Sequence, residues 1–346
     1  MSVRELWFTQ PYHVEVRERS LPPLASGHIR VKNECSAISA GTEMLVYRGQ
    51  LPCDISLDAT LESLQHDQTY PLQYGYACVG RVEQIGAEVD SSWLGKRVFS
   101  FQPHASHFTA TPEQVILLPD DIEPEAAVFL ANMETAVNLV LDGSPALGER
   151  VLILGQGVVG LLVSSLLAQF PLTQLVALES LSLRKDQALK FGVQHVYDPH
   201  SATDLASLEQ LLHLPVQLSD TAKSGADLIY EVSGVASALN LAINLSSYAG
   251  RIVIGSWYGN KAANLHLGGV AHRNRLKFIS SQVSTIAPEW SGRWDKSRRF
   301  DVAWDMIRRV QPQQMISHRV PLEQAPFLYS LLDQAPEEIL QSVLTY

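Results

Sequence analysis

Chemistry is suggested first by Gly155-Gln156-Gly157-Val158-Val159-Gly160, which joins the apolar run VLIL to a second one, VVGLLVSSLLAQF. A glycine at the first position permits a tight strand-to-helix turn. The second lets the backbone approach a pyrophosphate, and the third lets the helix pack closely on the strand. The N–H groups at the helix start then face the phosphates. Glu179 closes LVALE, 19 residues past Gly160. A carboxylate there accepts hydrogen bonds from the adenosine ribose hydroxyls and repels a 2′-phosphate. The spacing predicts a dinucleotide site with NAD as cofactor. Arg184 and Lys185 keep NADP open, because a swing of Glu179 would let them hold a phosphate instead. A ligand-free sheet would not call for three glycines at this spacing.

Residues 74–80 read YGYACVG, a pattern compatible with a metal site, a reactive thiol or a tight strand with neither. Only Cys35, Cys53 and Cys78 are present, with no CxxC spacing, so neither a disulfide framework nor a four-cysteine zinc cluster is expected. Cys78 reads as a small apolar residue on a strand. In FQPHASHF, His104 and His107 have a spacing that a metal could bridge, but no third ligand is near in sequence. His104 suits a general base, since an imidazole titrates near physiological pH. Basic residues gather at Arg273, Arg275 and Lys277 and again at Arg293, Lys296, Arg298 and Arg299. Such a run is either a solvated face or a clamp for a substrate carboxylate or phosphate.

These residues need a scaffold, and 346 residues are enough for two domains with separate cores. A formal net charge of -10 argues against nucleic acid and anionic membrane as partners. The start, MSVRELWFTQ, has no basic region followed by an apolar one, so a cytoplasmic protein is expected. Residues 151–170 are apolar over nearly a membrane's thickness, yet Gln156 and three glycines near their start indicate a buried strand, a turn and a buried helix. The first third is β-rich, with strands predicted in IRVKNECSAIS, YACVGRVEQIG, KRVFSF and EQVILLP. A helix is predicted over 124–143. Strands and helices then alternate as βαβ units of a parallel sheet, including a helix over 236–250. Residues 51–72 form a candidate lid.

VGRVEQIG with GKRV, then ETAV, GQGVVG, DLIYEVSG and GRIVIG, in this order, resemble the medium-chain dehydrogenase/reductase superfamily over nearly the whole chain. The resemblance implies an α/β protein: a GroES-like β-rich catalytic domain (1–131), a Rossmann doubly wound parallel-sheet cofactor domain (132–281) and a C-terminal return to the catalytic domain (282–346). SAISAGTEMLVYRG and ISHRVPLEQAPFLYSLLD look most similar to a zinc-free branch that includes bacteriochlorophyllide dehydrogenases. Zinc-dependent members carry a histidine ligand where this chain has Tyr76, in Gly75-Tyr76-Ala77, and cysteine ligands where it has Ser39 and Ala131. A catalytic zinc needs about three protein ligands plus an open position, so no metal is expected.

Without zinc, a hydroxyl relay is the natural replacement. The resemblance gives Tyr76 a place facing the nicotinamide and makes Thr42 the match of a proton-carrying serine or threonine, with Glu43 and Tyr47 in the same loop. It also implies Thr135 and Val159 against the nicotinamide, and Ser233, Gly255, Ser256 and Ser281 at strand ends facing the cofactor. The expected function is an NAD(P)-dependent, zinc-independent oxidoreductase moving hydride between the cofactor and an alcohol or carbonyl of a fairly large polar small molecule. Two alternatives are an NADPH-dependent quinone or enoyl reductase and a cofactor-binding sensor or scaffold without turnover. A homodimer joined through the Rossmann sheet is also implied.

Overall fold

The computed structural model describes residues 2–51, 69–213 and 224–346. Most of the candidate lid, with Cys53, lies outside the described residues. The chain divides into two compact units, Met1–Ala131 with Ile307–Tyr346, and Asn132–Met306.

The first unit contains strands β1 (Ser2–Gln10), β2 (His13–Ser20), β3 (Ile29–Ile38), β4 (Cys78–Ile85), β5 (Arg97–Ser100), β6 (His107–Ala110) and β7 (Ile116–Leu117). Strand β3 is its axis. It pairs along one edge with β4, and its other edge is divided between β6 at Ile29–Lys32 and a late strand at Cys35–Ile38. Seven strands join in this way, and β1–β2 forms a separate antiparallel hairpin. The stretch YGYACVG is therefore the entry to β4. A Cβ on Gly80 would lie 2.4 Å from the carbonyl oxygen of Lys32, so only glycine lets β4 cross β3 this closely at the bulge near Asn33. Gly75 has φ +133°, and a Cβ there would lie 2.8 Å from the His104 ring. The two glycines are needed for backbone geometry and for seating a histidine.

Two helices sit where one was predicted over 124–143: α2 (Pro124–Ala127), after α1 (Thr42–Tyr47), and then α3 (Leu130–Gly143). Pro124 opens α2 at a position where its missing N–H costs nothing.

The second unit is a six-stranded parallel sheet built from β8 (Arg150–Leu154), β9 (Gln174–Leu178), β10 (His195–Tyr197), β11 (Ala226–Glu231), β12 (Ser246–Ile254) and β13 (Lys277–Ser280), in the order β10-β9-β8-β11-β12-β13. The order reverses between β8 and β11, the switch point at which doubly wound sheets bind ligands beyond the strand ends. Helices α4 (Val158–Leu167), α5 (Ser182–Lys190), α6 (Ala202–Leu211) and α7 (Ala238–Leu245) connect the strands. Helix α4 is buried from Gly160 to Leu167, which explains its nearly continuous apolar sequence. No helix among the described residues is long and apolar enough to cross a membrane.

Helix α7 ends at Leu245, five residues before the predicted end at 250. The Ser246 hydroxyl donates back to the Ala242 carbonyl at 2.7 Å, and the Ser247 hydroxyl donates to Asp227 of β11 at 3.1 Å. These side chains end the helix and start β12.

The chain then runs through α8 (Lys296–Val310), β14 (Ile316–Pro321), α9 (Ala325–Gln334) and β15 (Gln341–Thr345), the last being the late strand on β3. The return to the first unit begins at Ile307, later than the predicted 282. Residues between these points are tied to the second unit: Trp290 donates to the Leu141 carbonyl at 3.0 Å, and Arg299 is wholly buried against α3.

Candidate functional site

In the second unit, the glycine loop leaves β8 at the switch point. Gly155 has φ +94°, and a Cβ on it would lie 2.6 Å from the Ser233 Cα beyond β11. Gly160 needs its lack of a side chain for packing, since a Cβ would come within 2.1 Å of the Gly155 carbonyl oxygen. Gly157 differs from both. Its φ is -67° and ψ -175°, a conformation open to any residue, and a Cβ there would meet nothing within 4 Å. Its position, opening α4, is therefore a bare cradle beside N–H groups that have no carbonyl one turn back. A dinucleotide phosphate fits these properties. Gln156 is buried beneath the loop, its side-chain oxygen accepting from the Ser164 hydroxyl at 2.9 Å.

Glu179 follows β9 and is nearly buried. One carboxylate oxygen accepts from the Gln156 N–H at 2.8 Å, and the other accepts from the N–H groups of Ser180 and Leu181 at 2.8 and 3.0 Å. Three bonds fix it, one from the glycine loop and two from the residues that follow it, so the swing that would free this position for a phosphate is opposed. Lys185 is engaged elsewhere, 3.1 Å from Asp198, whose carboxyl lies below its ordinary range chiefly because it accepts the His200 N–H. Arg184 lies half-buried in the first turns of α5.

A second buried acid, Glu231, ends β11 and escapes notice in the sequence, although DLIYEVSG contains it. It accepts from the N–H and hydroxyl of Ser233 and from the Tyr258 hydroxyl, which burial and this carboxylate together push up in pKa. Ser256 accepts from the Gly234 N–H at 2.9 Å. The loop after β11 is thus fixed by its own polar groups. Gly255 makes room for Leu139, 2.6 Å from where its Cβ would be. Ser281 donates to Asp142 at 2.6 Å and accepts from Asn138 at 3.0 Å. Thr135 and Val159 are half-buried, on α3 and in the first turn of α4.

Ser281's partners belong to a structural tie. Glu134, Asn138 and Asp142 are four residues apart on one face of α3. Arg299 of α8 donates to Glu134 at 3.0 and 2.7 Å, to Asn138 at 2.5 Å and to the Thr285 carbonyl at 3.0 Å. One member of the basic run is therefore internal. Arg293 and Arg298 lie over the rings of Trp290 and Trp294, at 4.7 and 4.4 Å.

The first unit gathers a different cluster. Glu43, in the first turn of α1, has no exposed surface and accepts from the Ser39 N–H at 2.8 Å. Its other oxygen meets the His104 Nε2 at 3.0 Å and the Tyr329 hydroxyl of α9. The His104 Nδ1 lies 2.7 Å from the Ser36 hydroxyl, and that hydroxyl lies 2.6 Å from the Tyr346 hydroxyl. Two backbone bonds frame the loop bearing His104: Leu6 N–H donates to the His104 carbonyl, and Asn33 N–H donates to the Ser106 carbonyl.

Of the predicted residues, Glu43 and His104 are brought into direct contact. Thr42 starts α1 beside Glu43, and Tyr76 follows the Gly75 that seats His104; both are half-buried. Tyr47 packs within an aromatic group, 5.6 Å between ring centres from both Tyr12 and Tyr329. His107 turns to other partners, 3.0 Å from Ser106 and 3.5 Å from Glu83, so the two histidines share no ligand position. Ser36, Tyr329 and Tyr346 carry no sequence signal of their own.

Zinc chemistry asks for nitrogen, sulfur or carboxylate donors, and Ser39, Tyr76 and Ala131 do not make such a set. Among the described residues, no group of three His, Cys, Asp or Glu side chains is placed to hold a metal ion. The Cys78 thiol donates to the Gln102 carbonyl at 3.1 Å and is held protonated by burial, and burial pushes Cys35 up to about 12.

The profile of the zinc-binding dehydrogenase family matches residues 158–298. D-guloside 3-dehydrogenase of Escherichia coli strain K12 is 24% identical over 280 residues, covering 79% of this chain and 77% of its own. An Escherichia coli CFT073 protein described as a short chain alcohol dehydrogenase, solved with NADH, superposes with a TM-score of 0.78 at 18% identity, covering 100% of this chain and 99% of that one. A chain from Sinorhizobium meliloti 1021 bound to NADP gives 0.77 at 19% identity and covers 100% of both. Together with the glycine loop at the switch point of the β10-β9-β8-β11-β12-β13 sheet, these likenesses indicate the medium-chain dehydrogenase/reductase superfamily, whose fold the chain shares and whose zinc-binding dehydrogenase profile its residues 158–298 match.

Proposed function

We propose that the chain is an oxidoreductase that uses a nicotinamide dinucleotide, NAD in preference to NADP, and acts without zinc on an alcohol or carbonyl of a polar small molecule. The observation that carries this reading is Gly157. It is the one glycine of its loop that the fold does not require, and it sits at a helix start beside a carboxylate fixed by three backbone donors.

The loop would take the pyrophosphate on the N–H groups opening α4, and Glu179, with three of its roughly four lone-pair sites used, has about one left for a ribose hydroxyl. A bound nicotinamide supplies the hydride chemistry. The chain's own task is then to handle one proton and to stabilise charge on the substrate oxygen. Tyr76 and Thr42 are the hydroxyls proposed to donate to a developing alkoxide. Thr42 precedes Glu43 in sequence, and Tyr76 follows the Gly75 that faces the His104 ring; the buried Glu43–His104 pair is proposed as the fixed proton-handling group behind them.

Turnover of NAD or NADH with a panel of polyols, ketoses and enones tests the reading. Tyr76→Phe should lower turnover by at least about tenfold while leaving NADH affinity intact. Unchanged turnover removes Tyr76 from the mechanism. Binding of NADH without turnover on any of the panel favours a cofactor-binding sensor. The edge strand β13, with Phe278 exposed, is the proposed seam of a homodimer, and light scattering reads it directly.

A further inference from the structure

The cluster around Glu43 takes a single hydrogen-bond polarity when Glu43 is a carboxylate and the His104 ring carries one hydrogen. The two Glu43 oxygens face three partners: the Ser39 N–H, the Tyr329 hydroxyl and His104 Nε2. An ionised carboxylate offers about four lone-pair sites and has no hydrogen to give. With Glu43 as acceptor, the hydrogen between it and His104 sits on Nε2. In a neutral imidazole that leaves Nδ1 as an acceptor. Ser36, 2.7 Å away, must then donate to it, and the oxygen of Ser36 in turn receives the Tyr346 hydroxyl at 2.6 Å. Burial pushes Tyr346 well above the usual tyrosine range, so it keeps the hydrogen it donates. In that arrangement every link points one way, from Tyr346 through Ser36 and His104 to Glu43.

The strand that brings Tyr346 here is specified independently. β15 pairs antiparallel with β3 in the register Leu344 to Ser36 and Thr345 to Cys35, which sets the following residue beside the Ser36 side of the sheet. A phenol that only filled space would not need to reach a serine 310 positions away.

We propose that Tyr346 is a positioning residue: acting through Ser36, its phenol holds His104 in the Nε2–H tautomer that donates to Glu43. Chains of hydrogen bonds strengthen one another in a low-dielectric interior. Loss of the Tyr346 donor therefore weakens the Ser36 donation that reserves Nδ1 as acceptor. The catalytic consequence rests on the proton-handling role proposed for Glu43 and His104; the tautomer itself does not.

The test is nitrogen-15 NMR of the histidine rings in the full chain, for the wild type, Tyr346→Phe and Ser36→Ala. The wild type should show His104 with Nε2 protonated and Nδ1 bare. Tyr346→Phe should move the tautomer ratio toward Nδ1–H by roughly fivefold, the change one lost buried hydrogen bond supplies, and Ser36→Ala should move it at least as far. A wild type protonated at Nδ1, or an unchanged ratio in Tyr346→Phe, overturns the proposal, and the wild-type spectrum needs no variant to fold. Full turnover in His104→Gln would instead end the proton-handling role while leaving the tautomer assignment standing.

Discussion

Gly157 and Gly155 differ by two positions and should respond oppositely to substitution. At Gly157 the backbone is extended and nothing lies within 4 Å of a new Cβ, so Gly157→Ala should leave the fold intact or stabilise it by about 0.4–1 kcal/mol through the unfolded chain. At Gly155, φ is +94° and a Cβ would come within 2.6 Å of the Ser233 backbone. Strain and displacement together should cost about 3 kcal/mol there, or roughly 6–12 °C in Tm for a unit of this size. Cofactor binding should follow a different order. Gly157→Val puts a branched side chain where the phosphate would approach and forfeits about two charge-assisted hydrogen bonds, of order 3 kcal/mol, so the Kd for NADH should rise at least about 100-fold. NADH fluorescence titration gives the affinity, and thermal unfolding without cofactor gives the stability. Wild-type NADH affinity in Gly157→Val, or a loss of stability in Gly157→Ala equal to that in Gly155→Ala, would refute the reasoning.

Two further outcomes concern buried groups. Cys35 and Cys78 should resist iodoacetamide at pH 8 in the native protein and react in urea, because burial holds both thiols protonated, Cys35 up to about 12; peptide mapping by mass spectrometry reads this. Arg299→Leu should cost about 3–5 kcal/mol by stranding the buried Glu134 carboxylate. Burial already raises Glu134 above the ordinary 4.5, so the native state binds its proton more tightly than the unfolded chain. The stability this provides is complete below about 4.5 and is lost as pH rises through the raised folded value. Without the guanidinium that loss should deepen and extend to higher pH, so urea midpoints should fall more at pH 7.5 than at pH 5.

Local spacing made the cofactor half of the molecule readable. The turn glycines, the apolar α4 and the acid after β9 lie within 25 residues of one another, from Gly155 to Glu179; Gly155, Gly160 and α4 are dictated by the strand–turn–helix geometry, and Gly157 and Glu179 by the ligand that geometry serves. The first unit was less legible, because its polar cluster joins residues from four places. Glu43 and His104 are 61 positions apart and Glu43 and Tyr329 286, so no window of sequence reveals that they meet. Arg299 shows the same limit. As one of several late basic residues it resembles a solvated face, and only the fold reveals two α3 side chains, Glu134 and Asn138, that accept its hydrogen bonds. The helix end at Leu245 is hidden in the sequence, because serines that bond back to the preceding turn look there like a continuing helix.

The central claim is a nicotinamide nucleotide site that works without a divalent ion. Its most direct test is elemental analysis of the purified protein, paired with NADH titration and turnover before and after exhaustive chelation. The account predicts a substoichiometric metal content and the same affinity and rate after chelation. Zinc bound one per chain, with activity lost on its removal and restored on its return, would contradict it.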